Sequence, residues 1–315
     1  MPKVSVIIPI YGVEKYIERC ARSLFEQTLD DIEFLFIDDC TPDNSIHILQ
    51  RVLKEYPHRN EQVIIHRMDQ NSGQAKVREW GILHASGEYI IHCDSDDWLS
   101  VDIYHNLYEQ AIAECADVVV CDYHTVTGNN FVKNKACNTT EREDFIADIL
   151  TQKVSCSVWN KLISRDLYRS SDLIFPKDNM GEDVALVTQL LWKANKITYI
   201  DKPLYYYYNN TQSITKSVSA EKIRERFSQA ISNAHIVASF VNENIYSPKV
   251  KGALVKFIFD QSYLIVPLCS SNSKYLLMWK DSIASIRGLV YKCSYLSTKN
   301  KLFFYFLLFR SFFCK

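Results

Sequence analysis

Three carboxylates fall within four residues at the end of one predicted strand. Residues 89–93 form a short apolar and β-branched run after Gly87, as is typical of a buried strand, and Asp94, Asp96 and Asp97 come directly after it. Carboxylates this close repel one another unless a cation or hydrogen bonds offset their charge. Because ligands of open α/β sheets bind at the carboxyl ends of strands, the cluster predicts a site for a hard divalent cation that also holds phosphate oxygens. A solvated acidic turn is the alternative, and the pattern alone does not separate the two.

Two further acidic pairs lie where a strand ends or a helix begins. Asp38 and Asp39 follow a strand-like run, and Glu182 and Asp183 precede an apolar helical run at residues 184–192. Either pair has a purely structural reading, since carboxylates cap helices and are favoured in a first turn by the helix dipole. For Asp38 and Asp39 the capping role is less favoured, because Asp43 and Ser45 are better placed to cap the next helix. For Glu182 and Asp183 the pattern alone favours the structural role over a ligand-binding one.

Composition excludes several classes of protein. The net charge of the 315-residue chain is −1, which offers no basic excess to match the phosphates of a nucleic acid. The 10 cysteines include no C-x-x-C pair, so a zinc site is not expected. Early charges at Glu14 and Lys15, together with the lack of an apolar run of transmembrane length, predict a cytoplasmic protein with reduced thiols.

Strands and helices alternate strictly over the first 121 residues. Apolar runs predict strands at residues 4–10, 33–37, 63–66, 89–93 and 118–121. Apolar residues at helical spacing predict helices between them, at residues 13–27, 46–53, 75–85 and 101–115. This order predicts an α/β fold with a largely parallel sheet flanked by helices on both faces. Because no G-x-G-x-x-G or Walker loop is present, any nucleotide must be held by side chains and metal.

The chain changes character near residue 217, which predicts a catalytic domain at residues 1–217 and a helical C-terminal region at residues 218–315. Helices are expected at residues 220–241, 249–268, 273–290 and 298–313. No acidic residue follows Asp281, while basic residues are interleaved with Leu, Phe and Tyr. That pattern is typical of an amphipathic segment lying on anionic lipid. A helix packed on the catalytic domain or on a second subunit is the equal alternative, since aromatic stripes are most often core.

The ordered set of these motifs resembles the family 2 inverting glycosyltransferases of the GT-A fold. The resemblance covers roughly residues 1–217 and is carried by residues 4–11, Asp38-Asp39 with residues 41–45, residues 71–78, residues 85–89, residues 94–98 and Gly181-Glu182-Asp183. One departure is Cys40, where the family often has Gly. We expect the loop to tolerate this change. The property that the change could alter is the geometry of the local turn.

The resemblance implies an enzyme that moves a sugar from a nucleotide-diphosphate sugar to an acceptor hydroxyl. UDP-hexose or UDP-N-acetylhexosamine is the implied donor, and a glycan or lipid-linked sugar is the implied acceptor. The implied contacts to the nucleobase are the backbone around Pro9 and Tyr11, and Asp39 is implied to bind the uracil ring. Arg78 would contact the base and diphosphate, and Asp94 would contact the ribose or a metal-bound water. The remaining implied diphosphate contacts are Lys161, Ser213 and Thr215.

The same resemblance implies a Mg²⁺ or Mn²⁺ ion and a catalytic carboxylate. Asp96 would ligate the metal, with Asp97 sharing or replacing that role, and Asp183 would be the base. The chemistry agrees, because the departing diphosphate needs its charge neutralised and the attacking hydroxyl needs a base. One displacement with these two parts inverts the anomeric centre.

Competing functions fit the sequence less well. A phosphatase of the haloacid dehalogenase type would have Thr or Val where this chain has Trp98, and its acidic pair would follow the first strand rather than the fourth. An EF-hand loop needs Gly and Glu where this chain has Leu99 and His105. A non-catalytic sugar-nucleotide-binding or scaffold protein of the same fold would be expected to lack the metal carboxylate or the base, and this chain keeps both.

Overall fold

The computed structural model describes residues 1–209, 219–270 and 272–313. The strands in these residues are β1 (Val4–Ile10), β2 (Ile32–Asp38), β3 (Val63–Arg67), β4 (Tyr89–His92), β5 (Trp98–Leu99), β6 (Val118–Thr127), β7 (Asn130–Asn134), β8 (Lys161–Ser164) and β9 (Ile197–Tyr208). The helices are α1 (Ile17–Phe25), α2 (Ser45–Leu53), α3 (Gln74–His84), α4 (Ile103–Glu114), α5 (Arg142–Leu150), α6 (Arg165–Tyr168), α7 (Glu182–Lys193), α8 (Ala220–Asn244), α9 (Pro248–Ser262), α10 (Ser273–Ser282) and α11 (Thr298–Ser311).

The strands form one sheet in the order β3-β2-β1-β4-β8-β6-β9-β5, with β7 paired to β6 outside this path. The first four in that order run parallel, as the alternation of strands and helices predicts. β6 and β9 are also parallel. The predicted strands at residues 4–10, 33–37, 63–66 and 89–93 are confirmed to within one residue at each end.

The sheet is mixed beyond β4, which the regular alternation did not predict. β8 lies between β4 and β6 and runs antiparallel to both. The segment after Cys121 forms a hairpin in which β6 continues to Thr127 and pairs with β7. β8 reaches its place because α5 and the residues after it return the chain to the middle of the sheet, which is a long-range event with no local signal.

Three of the parallel strands, β1, β2 and β4, are buried, and most of their residues are apolar. Every residue of β2 is buried, and β1 is buried except for the half-exposed Pro9. Gly87 precedes β4 where the backbone of Ser5 passes so closely that an added Cβ would lie 2.6 Å from the Ser5 nitrogen. A glycine is therefore required for β4 to start beside β1, and the backbone nitrogen of Gly87 donates to the Ser5 hydroxyl oxygen at 2.8 Å.

The chain divides into two compact units. The first holds Met1–Arg142, Ser157–Phe175 and Leu190–Thr211, which include the whole sheet. The second holds Glu143–Cys156, Pro176–Gln189 and Gln212–Lys315, which include α8 to α11. The domain boundary predicted after residue 217 lies outside the described residues. In the described ranges, no helix is both long and apolar enough to cross a membrane.

The C-terminal helices are confirmed with two differences. The predicted helix at residues 249–268 is α9 followed by a 3₁₀ segment, Tyr263–Leu268, with Pro267 inside it. The predicted helix at residues 273–290 ends at Ser282, and the chain continues in successive tight turns. Both changes follow from residues that weaken a helix, since Pro lacks the donor and the β-branched Ile283, Ile286 and Val290 lose side-chain freedom.

Candidate active site

The ends of β1, β2 and β4 meet at one edge of the sheet, because the three strands are parallel and in register. Two hydrogen bonds tie the loops that follow β2 and β4 to the end of β1. The Asp39 backbone nitrogen donates to the carbonyl oxygen of Ile10 at 3.0 Å. The Ser95 hydroxyl donates to the carbonyl oxygen of Pro9 at 2.7 Å. The predicted residues at these strand ends are therefore brought together, and Tyr11 follows β1 with half of its surface exposed.

Asp97 is the buried member of the acidic cluster and is tied to β9. Its side chain is 0% exposed. Its Oδ2 accepts from the Tyr205 hydroxyl at 2.7 Å, and its Oδ1 accepts from the Tyr208 backbone nitrogen at 2.6 Å. Burial raises the pKa of Asp97 well above its usual range, and the charges of Asp96 and Asp94 add to that rise. Asp97 thus anchors the acidic loop to the sheet.

Tyr205 is a residue of this site that the sequence did not single out. Its hydroxyl also accepts from the backbone nitrogen of Asp94 at 3.1 Å, so one side chain holds both ends of the cluster. Its ring stacks on Trp159 at 4.2 Å between centroids. Residue spacing could not predict which ring Tyr205 packs against.

Asp94 is paired with a buried arginine. The Arg78 guanidinium lies on α3, is 2% exposed, and donates through Nη2 to Asp94 Oδ1 at 2.7 Å. The Gln74 amide donates to the same oxygen at 3.4 Å. This charge-assisted bond fixes the carboxylate of Asp94 at the start of the loop. The ionised arginine also acts on neighbouring His92, whose pKa is lowered well below its usual value by burial and then by Arg78.

The third carboxylate, Asp96, is half-buried, and its backbone is held from α1. The Arg19 guanidinium donates to the Asp96 carbonyl oxygen at 2.7 Å and lies 3.8 Å from the centre of the Trp98 ring. This arginine lies 77 positions earlier in the chain, and no sequence signal connected it to the cluster. Arg19 and Tyr205 together hold the loop that presents Asp96.

The carboxylates suit an ion such as Mg²⁺ that is held partly by the substrate, rather than an ion held by protein ligands alone. In the part of the chain that the structure describes, no three His, Cys, Asp or Glu side chains form a group able to hold a metal ion alone. Mg²⁺ commonly keeps several waters and is bound by one or two carboxylates plus substrate phosphates. A half-buried aspartate beside a second one satisfies that requirement, so the donor set is compatible with a metal completed by a diphosphate.

Asp39 is buried and accepts two backbone hydrogen bonds. Its carboxylate oxygens accept from the nitrogen of Ser72 at 2.6 Å and from that of Gly73 at 2.9 Å. A carboxylate has about four acceptor positions, so this aspartate retains capacity for a further donor. The bonds also join the end of β2 to the turn that starts α3.

The backbone conformation of Cys40 explains why the family often has glycine at this position. Cys40 has φ of +57°, a left-handed conformation that glycine adopts without a steric penalty. Its thiol donates to the carbonyl oxygen of Met68 at 3.0 Å. The turn therefore keeps the geometry for which the family often uses glycine, and the thiol contributes a contact that glycine lacks.

Of the three residues predicted for the diphosphate alone, Lys161 lies within the described residues. Lys161 begins β8 and is 0% exposed. Its ammonium group donates to the Ser157 carbonyl oxygen at 2.7 Å and to Asn160 Oδ1 at 3.0 Å. Ser213, like Thr215, lies outside the described residues.

Asp183 lies in the second unit, in the first turn of α7. Asp183 is half-buried, whereas its rival Glu182 is 5% exposed. The preceding loop is fixed by α8, where Asn233 donates to the carbonyl oxygens of Asp178 and Met180 at 2.7 and 3.0 Å. Gly181 has φ of +81°, which favours glycine at the entry to the helix. The sequence did not identify Asn233 as a support of this loop.

We expect Tyr205→Phe to lower the free energy of unfolding by about 1–3 kcal/mol, because a buried carboxylate oxygen then loses its donor. The matched control is Tyr206→Phe on the same strand, whose ring stacks on Trp98 at 5.3 Å. That change should stay within about 0.5 kcal/mol of the parent protein. Urea denaturation of both variants measures the difference. Equal stability of the two would show that the Tyr205 hydroxyl does not support Asp97.

Comparison with known proteins gives a family match. The profile described as "Glycosyl transferase family 2" matches residues 5–170, which is more than half of the chain. The chain is 31% identical over 225 residues to "Uncharacterized glycosyltransferase EpsJ" of Bacillus subtilis (strain 168). That alignment covers 69% of this chain and 64% of the relative, so the chain spans less than two thirds of the relative's length.

Two solved structures share the fold. Residues 1–349 of S. aureus TarS, in complex with UDP-GlcNAc, match with a TM-score of 0.60 and 19% identity, covering 87% of this chain and 83% of that one. The mannosyltransferase PcManGT from Pyrobaculum calidifontis, in complex with GDP-Man and Mn²⁺, matches with a TM-score of 0.57 and 16% identity, covering 96% of this chain and 78% of that one. At these identities the likeness concerns the fold. The profile match and the sheet edge described above show that the chain belongs to glycosyl transferase family 2 and has the predicted GT-A fold.

Proposed function

We propose that this protein transfers a sugar from a nucleotide-diphosphate sugar to an acceptor hydroxyl, with inversion at the anomeric carbon. The observation that carries the proposal is the arrangement of the three aspartates at the sheet edge. Asp94 is paired with Arg78, Asp97 is buried in bonds to β9, and Asp96 is presented between them. A loop held this firmly suits a task that depends on fixed charge.

We assign the metal to Asp96, with Mg²⁺ or Mn²⁺ as the ion. Both oxygens of Asp97 accept hydrogen bonds from β9, which favours an anchoring role for that residue and leaves it at most a shared role toward the metal. When bound, the ion would act as a Lewis acid that offsets the charge of the departing diphosphate. The Mn²⁺ in the PcManGT complex supports the choice of ion.

The remaining residues of the sheet edge would bind the donor. In this proposal the backbone at Pro9 and Tyr11 lines the nucleobase pocket, Asp39 binds the uracil, and Arg78 and Asp94 hold the diphosphate and ribose side. Lys161 and Ser213 stay candidates for the diphosphate. For Lys161 that contact requires its ammonium group to leave its partners Ser157 and Asn160.

Asp183 is the proposed general base, which takes the proton from the attacking hydroxyl. Its partial exposure is the observation in favour, since a base must reach a hydroxyl in solution, whereas Glu182 is buried. The acceptor is proposed to be a glycan or lipid-linked sugar used in cell-surface polysaccharide synthesis. The proposed organisation is a catalytic region at residues 1–217 and a helical region at residues 218–315, in a cytoplasmic protein that works at the inner face of the membrane.

UDP should bind at least about tenfold more tightly than GDP, because Asp39 would accept from the uracil N–H, whereas the larger guanine would carry its own ring N–H to a different position. The UDP-GlcNAc bound to TarS supports this choice, and the GDP-Man bound to PcManGT is the rival. Calorimetry with each nucleotide in Mn²⁺ measures the ratio. The nucleotide is varied rather than Asp39, because that carboxylate also holds Ser72 and Gly73. Tighter binding of GDP would overturn the assignment.

A further inference from the structure

The outer face of α11 is apolar and exposed. Four of its exposed side chains are spaced three or four residues apart, so they lie on one stripe of the helix. They are Leu302 (67% exposed), Phe306 (55%), Phe309 (62%) and Phe313 (73%), the last two residues beyond the end of the helix. Soluble proteins rarely expose a contiguous apolar patch of this kind unless it binds something.

The opposite face of α11 packs against the helices of its own unit. Phe304, Leu307 and Ser311 are buried, and the Phe304 ring lies 5.9 Å from that of Phe259 and 5.4 Å from that of Trp279. The helix is therefore already attached to its own unit by one stripe. Packing within the chain explains the apolar residues Phe304 and Leu307 and leaves the outer stripe without an explanation.

The charged side chains of the segment that carries this stripe, residues 282–313, are of one sign. No acidic residue follows Asp281, and Lys292 and Lys299 are exposed. Tyr291 and Leu289, in the turns before α11, add exposed apolar surface at 74% and 51%. An apolar stripe bordered by basic residues complements a surface with an apolar interior and anionic groups at its border.

We propose that α11 docks on an anionic membrane, with its outer stripe inserted at the boundary between headgroups and acyl chains. The helix has 14 residues. It is therefore about 21 Å long, shorter than the roughly 30 Å hydrocarbon core, so it lies in the plane of the membrane. This inference rests on the proposed function in one respect, which is that a lipid-linked acceptor would lie in the membrane on which α11 docks.

A second copy of the chain is the rival occupant, and the charges disfavour it. In a two-fold dimer the same patch faces itself, so Lys292 and Lys299 of both copies would approach each other. Residues 282–315 offer no carboxylate to offset them. A lipid surface supplies the missing negative charge.

The test is flotation of the full chain with vesicles of mixed phosphatidylglycerol and phosphatidylcholine, and with phosphatidylcholine vesicles as reference. The protein should float with the anionic vesicles, and Phe306→Ser with Phe309→Ser should weaken partitioning by at least about tenfold, the loss expected for one buried ring. The control is Tyr246→Ser, an aromatic residue that is 82% exposed outside α11, and it should float like the parent.

A charge variant separates the electrostatic part. Lys292→Glu with Lys299→Glu should weaken flotation and reduce its sensitivity to salt, whereas Lys54→Glu with Lys177→Glu, which change the charge equally at exposed sites, should not. Calorimetric binding of UDP, measured in parallel, should be unchanged in all four variants. If the parent protein floats with the vesicles but does not bind UDP, the proposed function is rejected and the docking proposal stands.

Two results would overturn the docking proposal. One is failure of the parent protein to float, or flotation of the Phe306 and Phe309 variant like the parent. The other is sedimentation showing a dimer that this variant converts to a monomer in the absence of lipid, which would assign the stripe to a second copy.

Discussion

Asp96→Ala should lower metal-dependent turnover by about 10³-fold, or about 4 kcal/mol in the barrier, because the charge of the departing diphosphate loses the ion that offsets it. The fold should remain, since two described links hold the loop through other groups. Asp97 is bound to β9, and Arg19 contacts the Asp96 backbone. The measurement is the initial rate of nucleoside diphosphate release from a donor sugar.

A second readout separates loss of metal from loss of structure. Calorimetry should show that Mn²⁺ strengthens UDP binding to the parent protein but not to Asp96→Ala. The matched control is Asp31→Ala, which removes an exposed carboxylate before β2 and should leave both rate and binding unchanged. Full activity in Asp96→Ala, or an unaltered response of UDP binding to Mn²⁺, would move the metal to another residue.

Asp183→Asn should cut turnover by about 10²–10⁴-fold, the usual contribution of acid–base catalysis, while UDP affinity stays nearly unchanged. The substitution keeps the size of the side chain and removes its basicity. Glu182→Gln is the natural comparison, because adjacent residues of a first helical turn point in different directions. Glu182 is buried, so its variant should affect stability more than turnover.

The outcomes of this pair are distinct. A normal rate in Asp183→Asn together with an inactive Glu182→Gln would mean that Glu182, not Asp183, is the base. Normal rates in both would place the base elsewhere. A fall in UDP affinity equal to the fall in rate would mean that Asp183 supports donor binding rather than proton transfer.

The sequence predicted the parts of the fold that depend on local pattern. The continuous apolar runs identified β1 to β4, and the acidic loops at their ends followed from the direction of parallel strands. The exposed outer stripe of α11 was less predictable. The basic and aromatic composition favoured lipid and packing equally, and only burial separates the packed stripe at Phe304 from the exposed stripe at Phe306.

The supporting contacts of the site could not be predicted, because they join residues far apart in the chain. Arg19 reaches the Asp96 carbonyl oxygen across 77 positions, and Tyr205 reaches Asp97 across 108. The insertion of β8 between β4 and β6 is of the same kind. Such contacts depend on the packed sheet, and an isolated Arg or Tyr has too many alternative partners for its type to reveal the one it finds.

The central claim, metal-dependent transfer from a nucleotide sugar, is tested most directly by measuring nucleoside diphosphate release from a panel of UDP- and GDP-sugars with Mn²⁺ and with a chelator. We predict release from at least one UDP-sugar that requires the metal, is lost in Asp96→Ala and is reduced in Asp183→Asn. Binding of UDP without turnover of any donor, with a suitable glycan acceptor present, would contradict the account and indicate a protein that binds sugar nucleotides without acting on them.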